Sequence, residues 1–323
     1  MKDFDMSQPL VSVLMCVYSE PLEWIHQSVS SILNQSYSKF EFILVNDAPK
    51  RTDLKKTLDN YSTCDDRICL IENSKNFGLT RSLNTGLEKC RGKYIVRMDA
   101  DDISGLTRVE EQVKFMEQNP EIGVCGTWAK LFGARNGIEK RALKDESLKF
   151  SMVLQSPFIH PSVIIRKAVL DTNRIRYNEN YRFAQDYGLW SDLMKVTIFA
   201  NLPLILLNYR LSNQQISNRN QEQKKIAYQI RQDVIRTLYG ENIEKIIYGG
   251  EKINLKTIKM VKESLTRYDQ RDAPLMNALY LSLQHYSFTV FLVYLRNLKY
   301  FNLEVAIKII KRNFIHDSKN RRI

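Results

Sequence analysis

The sequence predicts an α/β fold, with a mostly parallel sheet flanked by helices and an α-helical C-terminal extension. Short apolar runs rich in β-forming residues alternate with segments of helical spacing over the first two-thirds of the chain. These runs are continuously apolar, which is typical of parallel strands buried on both faces. Past Asn213 the sequence becomes rich in Lys, Arg, Gln, Ile and Tyr and nearly free of Pro, which favours helices.

The predicted strands are Val11–Tyr18, Glu41–Asp47, Ile68–Asn73 and Lys93–Asp99. The predicted helices are Trp24–Gln35, Leu79–Cys90 and Thr107–Gln118, with Leu79, Leu83 and Leu87 on one side of the second. Ligands of open α/β sheets bind beyond the carboxyl ends of the strands. Three of the four predicted strands end in polar or acidic residues, which makes that edge the candidate site: Ser19-Glu20, Asn46-Asp47 and Asp99–Asp102.

Composition limits the class of protein. A chain of 323 residues with 44% hydrophobic residues can bury at least one full core. The five cysteines form no CxxC pair and the four histidines are scattered, which argues against a zinc site and fits a reducing cytosol. The first ten residues lack the apolar run of a signal peptide, so we expect a cytoplasmic location.

The positive charge is concentrated at the C-terminal end. The whole chain carries a net charge of +12, and the segment from Arg219 to Ile323 carries 20 basic and 10 acidic residues. Such a bias serves nucleic acid, an anionic membrane surface or solubility alone. The segment has no recognisable nucleic-acid motif and no aromatic-basic platform, so we expect no nucleic-acid partner, although a binding module remains an alternative.

One apolar stretch of this segment raises the question of membrane contact. Ala278–Leu295 has no formally charged residue, at the lower length limit for a membrane span. Its polar residues Ser282, His285 and Thr289 share one helical face, which favours an amphipathic helix instead. Two alternatives stay open. In the first, Asn277–Lys299 and the basic helix that follows would attach the chain peripherally to the anionic inner face of the plasma membrane. In the second, the same apolar face would pack on the catalytic domain or on a second subunit of a homo-oligomer.

The densest group of acidic residues is Asp99-Ala100-Asp101-Asp102, directly after a predicted strand. Three carboxylates so close together repel one another unless a cation lies among them. Mg²⁺ and Mn²⁺ take carboxylate oxygens and complete their shells with substrate phosphates. The alternative is an acidic turn that caps the helix beginning near Thr107.

Two further residues lie near the same edge. Asp47 ends the second strand, where its carboxylate can accept the imide N–H of a pyrimidine base or form an Asx turn in the loop. Arg81 follows Asn76-Phe77-Gly78, within reach of a phosphate at the strand ends, and its alternative is a solvated surface charge.

Several ordered blocks together resemble a known family. The stretches VSVLMCVYSE, SVSSILNQSY and FEFILVND, then NFGLTRSLNTGL and RGKYIVRMDADD, resemble the inverting glycosyltransferases of family 2, which have the GT-A fold. The later blocks FIHPSVIIRK, FAQDYGLW and YRLSNQQIS follow in the family's order, so the resemblance covers about Leu10 to Ser217. The family's acidic pair before Tyr is Glu-Asp, whereas here it is Gln185-Asp186, which puts a helper role of residue 185 in doubt.

The resemblance implies a domain organisation and an activity. Residues 1–217 would form the GT-A catalytic domain, with a nucleotide-binding half (1–105) and an acceptor half (106–217), followed by a basic helical region (218–323). The enzyme would transfer a sugar with inversion from a nucleotide-diphosphate sugar, UDP-sugar being favoured. The acceptor would be a hydroxyl of a glycan or lipid-linked molecule in bacterial-type surface polysaccharide assembly.

The resemblance also assigns roles on the donor side. Tyr18 and Glu20 would line the nucleotide pocket, and Asp47 would bind the base. Arg81 would contact the nucleotide side, and Asp99 would lie near the ribose and donor sugar. Asp101, together with Asp102, would hold Mn²⁺ or Mg²⁺ on the diphosphate.

On the acceptor side, Asp186 would be the catalytic base that takes the proton of the attacking hydroxyl. His160 lies in a block that faces the acceptor in the family, and a hydrogen-bonded structural histidine is the alternative. Trp190 is a candidate for stacking on a sugar, and core packing is its alternative.

A metal-dependent nucleotidyltransferase is the other enzyme class to consider. It would also combine an α/β sheet with metal-binding carboxylates. Such enzymes usually carry a Gly-rich basic phosphate loop after the first strand, whereas this chain has Ser19-Glu20-Pro21 there. The sequence therefore favours a glycosyltransferase.

Overall fold

The computed structural model describes residues 8–153, 155–212, 221–241 and 244 of the chain. The described residues divide into two compact units. The first comprises the chain up to Leu148 and Ser156–Ala227, and the second comprises Lys149–Gln155 and the described residues from Tyr228 onward. The predicted boundary between residues 217 and 218 lies outside the described residues.

The first unit contains one mixed sheet whose nine described strands are β1 Val11–Val17, β2 Phe40–Asn46, β3 Ile68–Glu72, β4 Tyr94–Asp99, β5 Ile103–Ser104, β6 Ile122–Gly133, β7 Gly137–Glu139, β8 Ile164–Arg166 and β9 Ile198–Leu211. The strand order is β3-β2-β1-β4-β8-β6-β9-β5, and β7 pairs with β6. The first four strands are parallel to one another. Strand β8 is antiparallel to both β4 and β6, whereas β6 and β9 are parallel.

The described helices are α1 Leu22–Leu33, α2 Thr52–Cys64, α3 Leu79–Lys89, α4 Arg108–Gln118, α5 Asp145–Ser151, α6 Lys167–Thr172, α7 Gln185–Leu193 and α8 Gln221–Tyr239. A 3₁₀ turn at His160–Ser162 precedes β8. Helix α8 agrees with the helical character predicted for the start of the C-terminal extension, and the remainder of that extension lies outside the described residues.

The core explains why the parallel strands are continuously apolar. Every position of β1 and β2 is buried, because helices cover both faces of the sheet. Helix α1 buries Ile25, Val29 and Ile32, which lie on one face at helical spacing. Helix α3 approaches the sheet at Gly86, where an added Cβ would lie 2.2 Å from Leu14 Cδ1.

The structure confirms the predicted α/β fold, its four strands and its three helices, with ends shifted by at most two residues. Leu79, Leu83 and Leu87 lie on one side of α3 as predicted, with Leu83 and Leu87 buried and Leu79 exposed in the first turn. Helix α2 and strands β5 to β9 were not predicted.

No helix in the described ranges has the length and apolar character needed to cross a bilayer. The amphipathic segment Ala278–Leu295 lies outside those ranges, so its two alternatives stay predictions.

Candidate active site

Three adjacent parallel strands bring the predicted donor-site residues to one edge of the sheet. Strand β1 lies between β2 and β4. Cys16 at the end of β1 is opposite Asp99, and Val17 is opposite Asn46. The polar residues that follow these strands therefore start side by side, at the edge where α/β proteins bind ligands.

Asp99, Asp101 and Asp102 form an acidic cluster at the end of β4. One carboxylate oxygen from each lies within 4.8 Å of the other two. Asp102 is fully buried, and its Oδ2 has no hydrogen-bond partner among the described residues. Oxygen donors at this spacing are the ligands that Mg²⁺ and Mn²⁺ prefer, so the donor set fits a hard divalent cation.

The pKa values of Asp101 and Asp102 are raised because the acidic groups are buried close to one another. Burial, followed by the charges of Asp99 and Glu20, raises the pKa of Asp101 to about 7. Burial and the neighbouring charges of Asp101 and Asp99 raise the pKa of Asp102 well above its usual value. A bound cation favours the ionised form of both groups. The helix-cap alternative is not observed, because the N-cap residue of α4, Thr107, makes no side-chain cap and the Val109 N–H donates to Gln35 Oε1 rather than to one of the acids.

The end of β4 is held by buried polar contacts. Arg97, only 2% exposed, forms an ion pair with Asp99. Ser28 Oγ donates to the carbonyl of Asp99 at 2.8 Å. Arg108 is fully buried and its Nη2 donates to the carbonyl of Arg97 at 2.8 Å. These contacts fix the strand end from which the acidic cluster begins.

Arg210 on β9 holds the turn that carries the acids. Its backbone N–H donates to Asp102 Oδ1 at 2.7 Å, and its Nε donates to the carbonyl of Asp101 at 2.7 Å. The guanidinium lies over two rings, 4.7 Å from the centroid of Trp24 and 4.4 Å from that of Phe132. The side chain is therefore restrained by aromatic contacts while it bonds the acidic turn.

We expect Arg210→Met to weaken Mn²⁺ binding by about 10- to 100-fold, the usual effect of losing a residue that orients metal ligands. The backbone N–H to Asp102 would remain, but the carbonyl of Asp101 would lose its charged donor. A Mn²⁺ titration followed by electron paramagnetic resonance measures this without substrate. Arg135→Met, which removes an exposed arginine from the turn between β6 and β7, is the control. Equal Mn²⁺ affinity in the two variants would contradict the role of Arg210.

The turn after β1 places Tyr18 and Glu20 at the same edge. Glu20 Oε2 accepts the backbone N–H of Tyr18 at 2.8 Å, and Arg51 Nη1 donates to both of their carbonyls at 3.0 and 2.9 Å. Burial raises the pKa of Glu20, whose charge in turn acts on Asp101. The Tyr18 side chain is 49% exposed, so its ring is accessible at this edge.

Asp47 organises the loop that leads into α3. Its Oδ1 accepts from Asn73 Nδ2 and from the backbone N–H of Phe77, both at 2.8 Å, and its Oδ2 accepts from the backbone N–H of Gly78 at 2.9 Å. The alternative prediction of an Asx turn at Asp47 is corrected. The side chain that accepts the backbone N–H two residues ahead is that of Asn46, which bonds Ala48. Both carboxylate oxygens of Asp47 therefore hold the loop before α3, and its predicted contact with the base stays a prediction.

Arg81 lies exposed in the first turn of α3. Its guanidinium carbon is 4.3 Å from the centroid of the Phe77 ring, and Lys75 Nζ is 5.5 Å from the same centroid. Two exposed cations on one aromatic ring form a positive surface beside the Asp47 loop. The predicted contact of Arg81 with the nucleotide stays a prediction.

Asp186 lies in the first turn of α7, separate from the acidic cluster. Ser156 Oγ donates to its Oδ2 at 3.2 Å. Burial is the largest cause that raises the pKa of Asp186, and the charge of Asp99 adds to it. Hydrogen bonds from the backbone N–H of Tyr187 and from Ser156 act in the opposite direction. Asp186 is therefore a carboxylate whose proton affinity is higher than usual, as a base requires.

His160 and Trp190 occupy the buried side of this region. His160 Nε2 lies 2.8 Å from Tyr177 Oη, and burial lowers the pKa of the imidazole well below its usual value. Trp190 is fully buried and packs edge-on against Phe158, with ring centroids 5.0 Å apart. The burial of Trp190 therefore corrects the prediction that it stacks on a sugar and supports its alternative, core packing. His160 is neutral and hydrogen-bonded, as in its structural alternative, and its acceptor contact stays a prediction.

Sequence reasoning missed four residues of this region: Arg97, Arg210, Ser156 and Tyr177. Arg97 and Arg210 lie inside the blocks RGKYIVRMDADD and YRLSNQQIS, but nothing in those blocks sets them apart from ordinary surface arginines. Ser156 and Tyr177 had no sequence signal. Tyr177 is fixed by Asn84 of α3, whose side chain bonds both its backbone N–H and its carbonyl, at 3.0 and 2.8 Å.

Comparison with known proteins identifies the family. Residues 12–174 match the family described as glycosyl transferase family 2. An uncharacterized glycosyltransferase of Haemophilus influenzae is 33% identical over 94% of this chain and 96% of its own length. The UDP-Gal:alpha-D-GlcNAc-diphosphoundecaprenol beta-1,3-galactosyltransferase of Escherichia coli is 28% identical over 65% of this chain and 78% of its own length.

Two solved structures share the fold. S. aureus TarS 1–349 in complex with UDP-GlcNAc has a TM-score of 0.58 at 14% identity, over 93% of this chain and 88% of that one. The mannosyltransferase PcManGT from Pyrobaculum calidifontis, in complex with GDP-Man and Mn²⁺, has a TM-score of 0.52 at 14% identity, over 96% of this chain and 81% of that one. This likeness confirms the predicted GT-A fold. The chain belongs to glycosyltransferase family 2.

Proposed function

We propose that this glycosyltransferase moves a sugar from a UDP-sugar to a hydroxyl of a glycan or lipid-linked acceptor, with inversion and with the help of Mn²⁺ or Mg²⁺. The observation that carries the proposal is the separation of its carboxylates into two groups. Three crowded acids follow β4, and a single buried carboxylate, Asp186, lies on α7.

The metal part of the proposal rests on the acidic cluster. Asp101 and Asp102 would hold the cation, which supplies positive charge to the departing diphosphate when it is bound. The Mn²⁺ complex of the mannosyltransferase supports this assignment through the shared fold. The choice of a UDP-sugar is supported by the UDP-GlcNAc complex of TarS and by the UDP-Gal substrate in the name of the E. coli relative.

The residues of this chain would then have separate roles in donor binding and in proton transfer. Tyr18, Glu20 and Asp47 would hold the nucleoside, and Arg81 would bind on the phosphate side. Asp186 would accept the proton of the acceptor hydroxyl while that oxygen bonds to the anomeric carbon and the bond to the diphosphate breaks. A positioned base of raised pKa suits this step, because the alcohol becomes acidic only in the transition state. Direct displacement needs no enzyme nucleophile and inverts the anomeric centre.

A lipid-linked acceptor would place the enzyme at a membrane surface. The name of the E. coli relative contains a diphosphoundecaprenol acceptor, and the relatives include an O-antigen biosynthesis glycosyltransferase. Surface polysaccharide assembly is therefore the proposed process. The basic C-terminal segment, with a net charge of +10, provides the charge for peripheral contact with anionic lipid.

A donor panel tests the proposal. The enzyme is incubated with UDP-GlcNAc, UDP-Gal and GDP-Man in Mn²⁺, in Mg²⁺ and in EDTA, and the released nucleotide is identified by chromatography. We expect release of UDP from at least one UDP-sugar, and no release in EDTA. Without acceptor the enzyme should hydrolyse the donor slowly, so early proton NMR spectra of the freed sugar report whether the anomeric centre inverts.

Three outcomes would contradict parts of this proposal. Release of a sugar 1-phosphate instead of UDP would support a nucleotidyltransferase, because transfer of the nucleotidyl group from a UDP-sugar leaves the sugar with one phosphate. Release of GDP alone would contradict a UDP-sugar donor, whereas the assignment as a glycosyltransferase would stand. Full retention of the anomeric configuration would overturn the proposed role of Asp186, because that role belongs to a single displacement.

A further inference from the structure

The hydroxyl of Ser156 has two acceptors within hydrogen-bond distance. Its Oγ lies 3.2 Å from Asp186 Oδ2 and 3.3 Å from the carbonyl oxygen of Phe158. A serine hydroxyl has one proton and can donate to only one of them at a time. An ionised carboxylate is the stronger acceptor, whereas a neutral carboxylic acid loses that advantage over an amide carbonyl. The direction of the Ser156 hydroxyl therefore depends on whether Asp186 carries a proton.

We propose that Ser156 is the positioning residue of the base, and that its hydroxyl turns from Asp186 to the carbonyl of Phe158 when Asp186 takes the acceptor proton. This inference rests on the proposed function. Before transfer, the Ser156 O–H donates to the carboxylate and fixes the orientation of its oxygens. During transfer, the proton of the acceptor hydroxyl moves to Asp186, the new bond forms at the anomeric carbon, and the nucleoside diphosphate leaves with the electrons of the broken bond.

After transfer, Asp186 is a neutral acid, and the freed Ser156 hydroxyl has an acceptor ready in Phe158. The turn costs little, because rotation about one bond exchanges one hydrogen bond for another of nearly the same length. Ser156 thus supports both protonation states of the base. It does not touch the acceptor in this scheme and acts only through Asp186.

Four other groups that act on Asp186 lie on three elements and one loop. Asp99 at the end of β4 raises its pKa, and the backbone N–H of Tyr187 on α7 lowers it. The phenols of Tyr177, in the segment before α7, and of Tyr209, on β9, interact electrostatically with Asp186. All four remain when Ser156 is replaced. A change in the pH dependence of that variant is therefore attributable to the lost hydroxyl.

The test compares Ser156→Ala with Ser156→Thr. The alanine variant lacks the donor to the ionised base, so we expect kcat to fall about tenfold, the usual effect of losing a hydrogen bond to a charged group. The low-pH limb of the kcat profile should move about one unit to higher pH, because the ionised form has lost a stabilising partner. The KM for the UDP-sugar should not change. Threonine keeps a hydroxyl and should restore kcat and the profile.

Ser191→Ala is the matched control, since Ser191 is buried on the same helix as Asp186 but makes no hydrogen bond to it. Thermal unfolding of all three variants separates loss of positioning from loss of fold. A pH profile of Ser156→Ala that coincides with that of the unmodified enzyme would overturn the role of Ser156, as would an equal loss in Ser156→Thr. Unchanged transfer by Asp186→Asn would overturn the proposed function itself, and with it this inference.

Discussion

Asp186→Asn is expected to reduce sugar transfer by about 10²–10⁴, the usual contribution of a positioned base. The amide has nearly the shape of the carboxylate and can still accept from Ser156 and from the Tyr187 N–H, but it cannot take the acceptor proton. Donor binding should persist, because Asp186 lies on α7 whereas the proposed donor-site residues follow β1, β2 and β4. Isothermal titration of UDP-sugar and steady-state transfer assays measure the two effects separately.

The control for this experiment is Asp192→Asn on the same helix, where the carboxylate is half exposed and pairs with Lys195. A surface ion pair contributes little, so this variant should keep full activity. The role of base would belong to another residue if Asp186→Asn lost UDP-sugar affinity while its rate stayed close to that of the unmodified enzyme.

Asp101→Ala is expected to lower turnover by at least about 10², since a bound metal supplies several kcal/mol of charge stabilisation. Mn²⁺ affinity should fall in parallel. Removal of one of three mutually repelling carboxylates should not lower the thermal midpoint of the metal-free protein, because the pKa of Asp101 is already raised to about 7 by its surroundings. Loss of activity without loss of stability is the expected signature.

Asp59→Ala serves as the comparison, because Asp59 is an exposed acid on α2, distant in sequence from the cluster. It should bind Mn²⁺ and turn over donor as the unmodified enzyme does. Full activity of the unmodified enzyme in EDTA would exclude a cation requirement. Unchanged Mn²⁺ affinity in Asp101→Ala would place the metal elsewhere.

The first half of the fold was predictable because its signals are local. Strands β1 and β2 are apolar at nearly every position, and helix α1 repeats its buried residues at helical spacing. Helix α2 was missed because only Leu54 and Leu58 are buried on it, which leaves too weak an apolar pattern. Strand β9 alternates irregularly between buried and exposed residues, and its pairing with β6 contains register shifts. Periodicity alone could not find it.

The residues of the candidate site also divide into those with a local sequence signal and those without one. The three acids were predictable because they lie within four residues of one another, and Asp186 because it lies in a block that resembles the family. Ser156 and Arg210 were not, since their contacts join residues 30 and 108 positions apart. Such contacts are set by the tertiary fold. The hydrogen bonds of Asp47 to the Phe77 and Gly78 amides belong to the same class.

The bond between Arg210 and the acidic turn has a consequence for biosynthesis. The turn at Asp101 and Asp102 leaves the ribosome long before β9, because 108 residues separate Asp102 from Arg210. At about 5–20 residues per second, this interval lasts roughly 5–20 s. During that time the nascent chain has the acids that follow β4 but not the strand β9 that orders them. Contacts so distant in sequence form late in folding. The proposed metal site is therefore a product of the completed sheet, and a fragment ending near residue 105 would carry the three acids without the contacts that orient them.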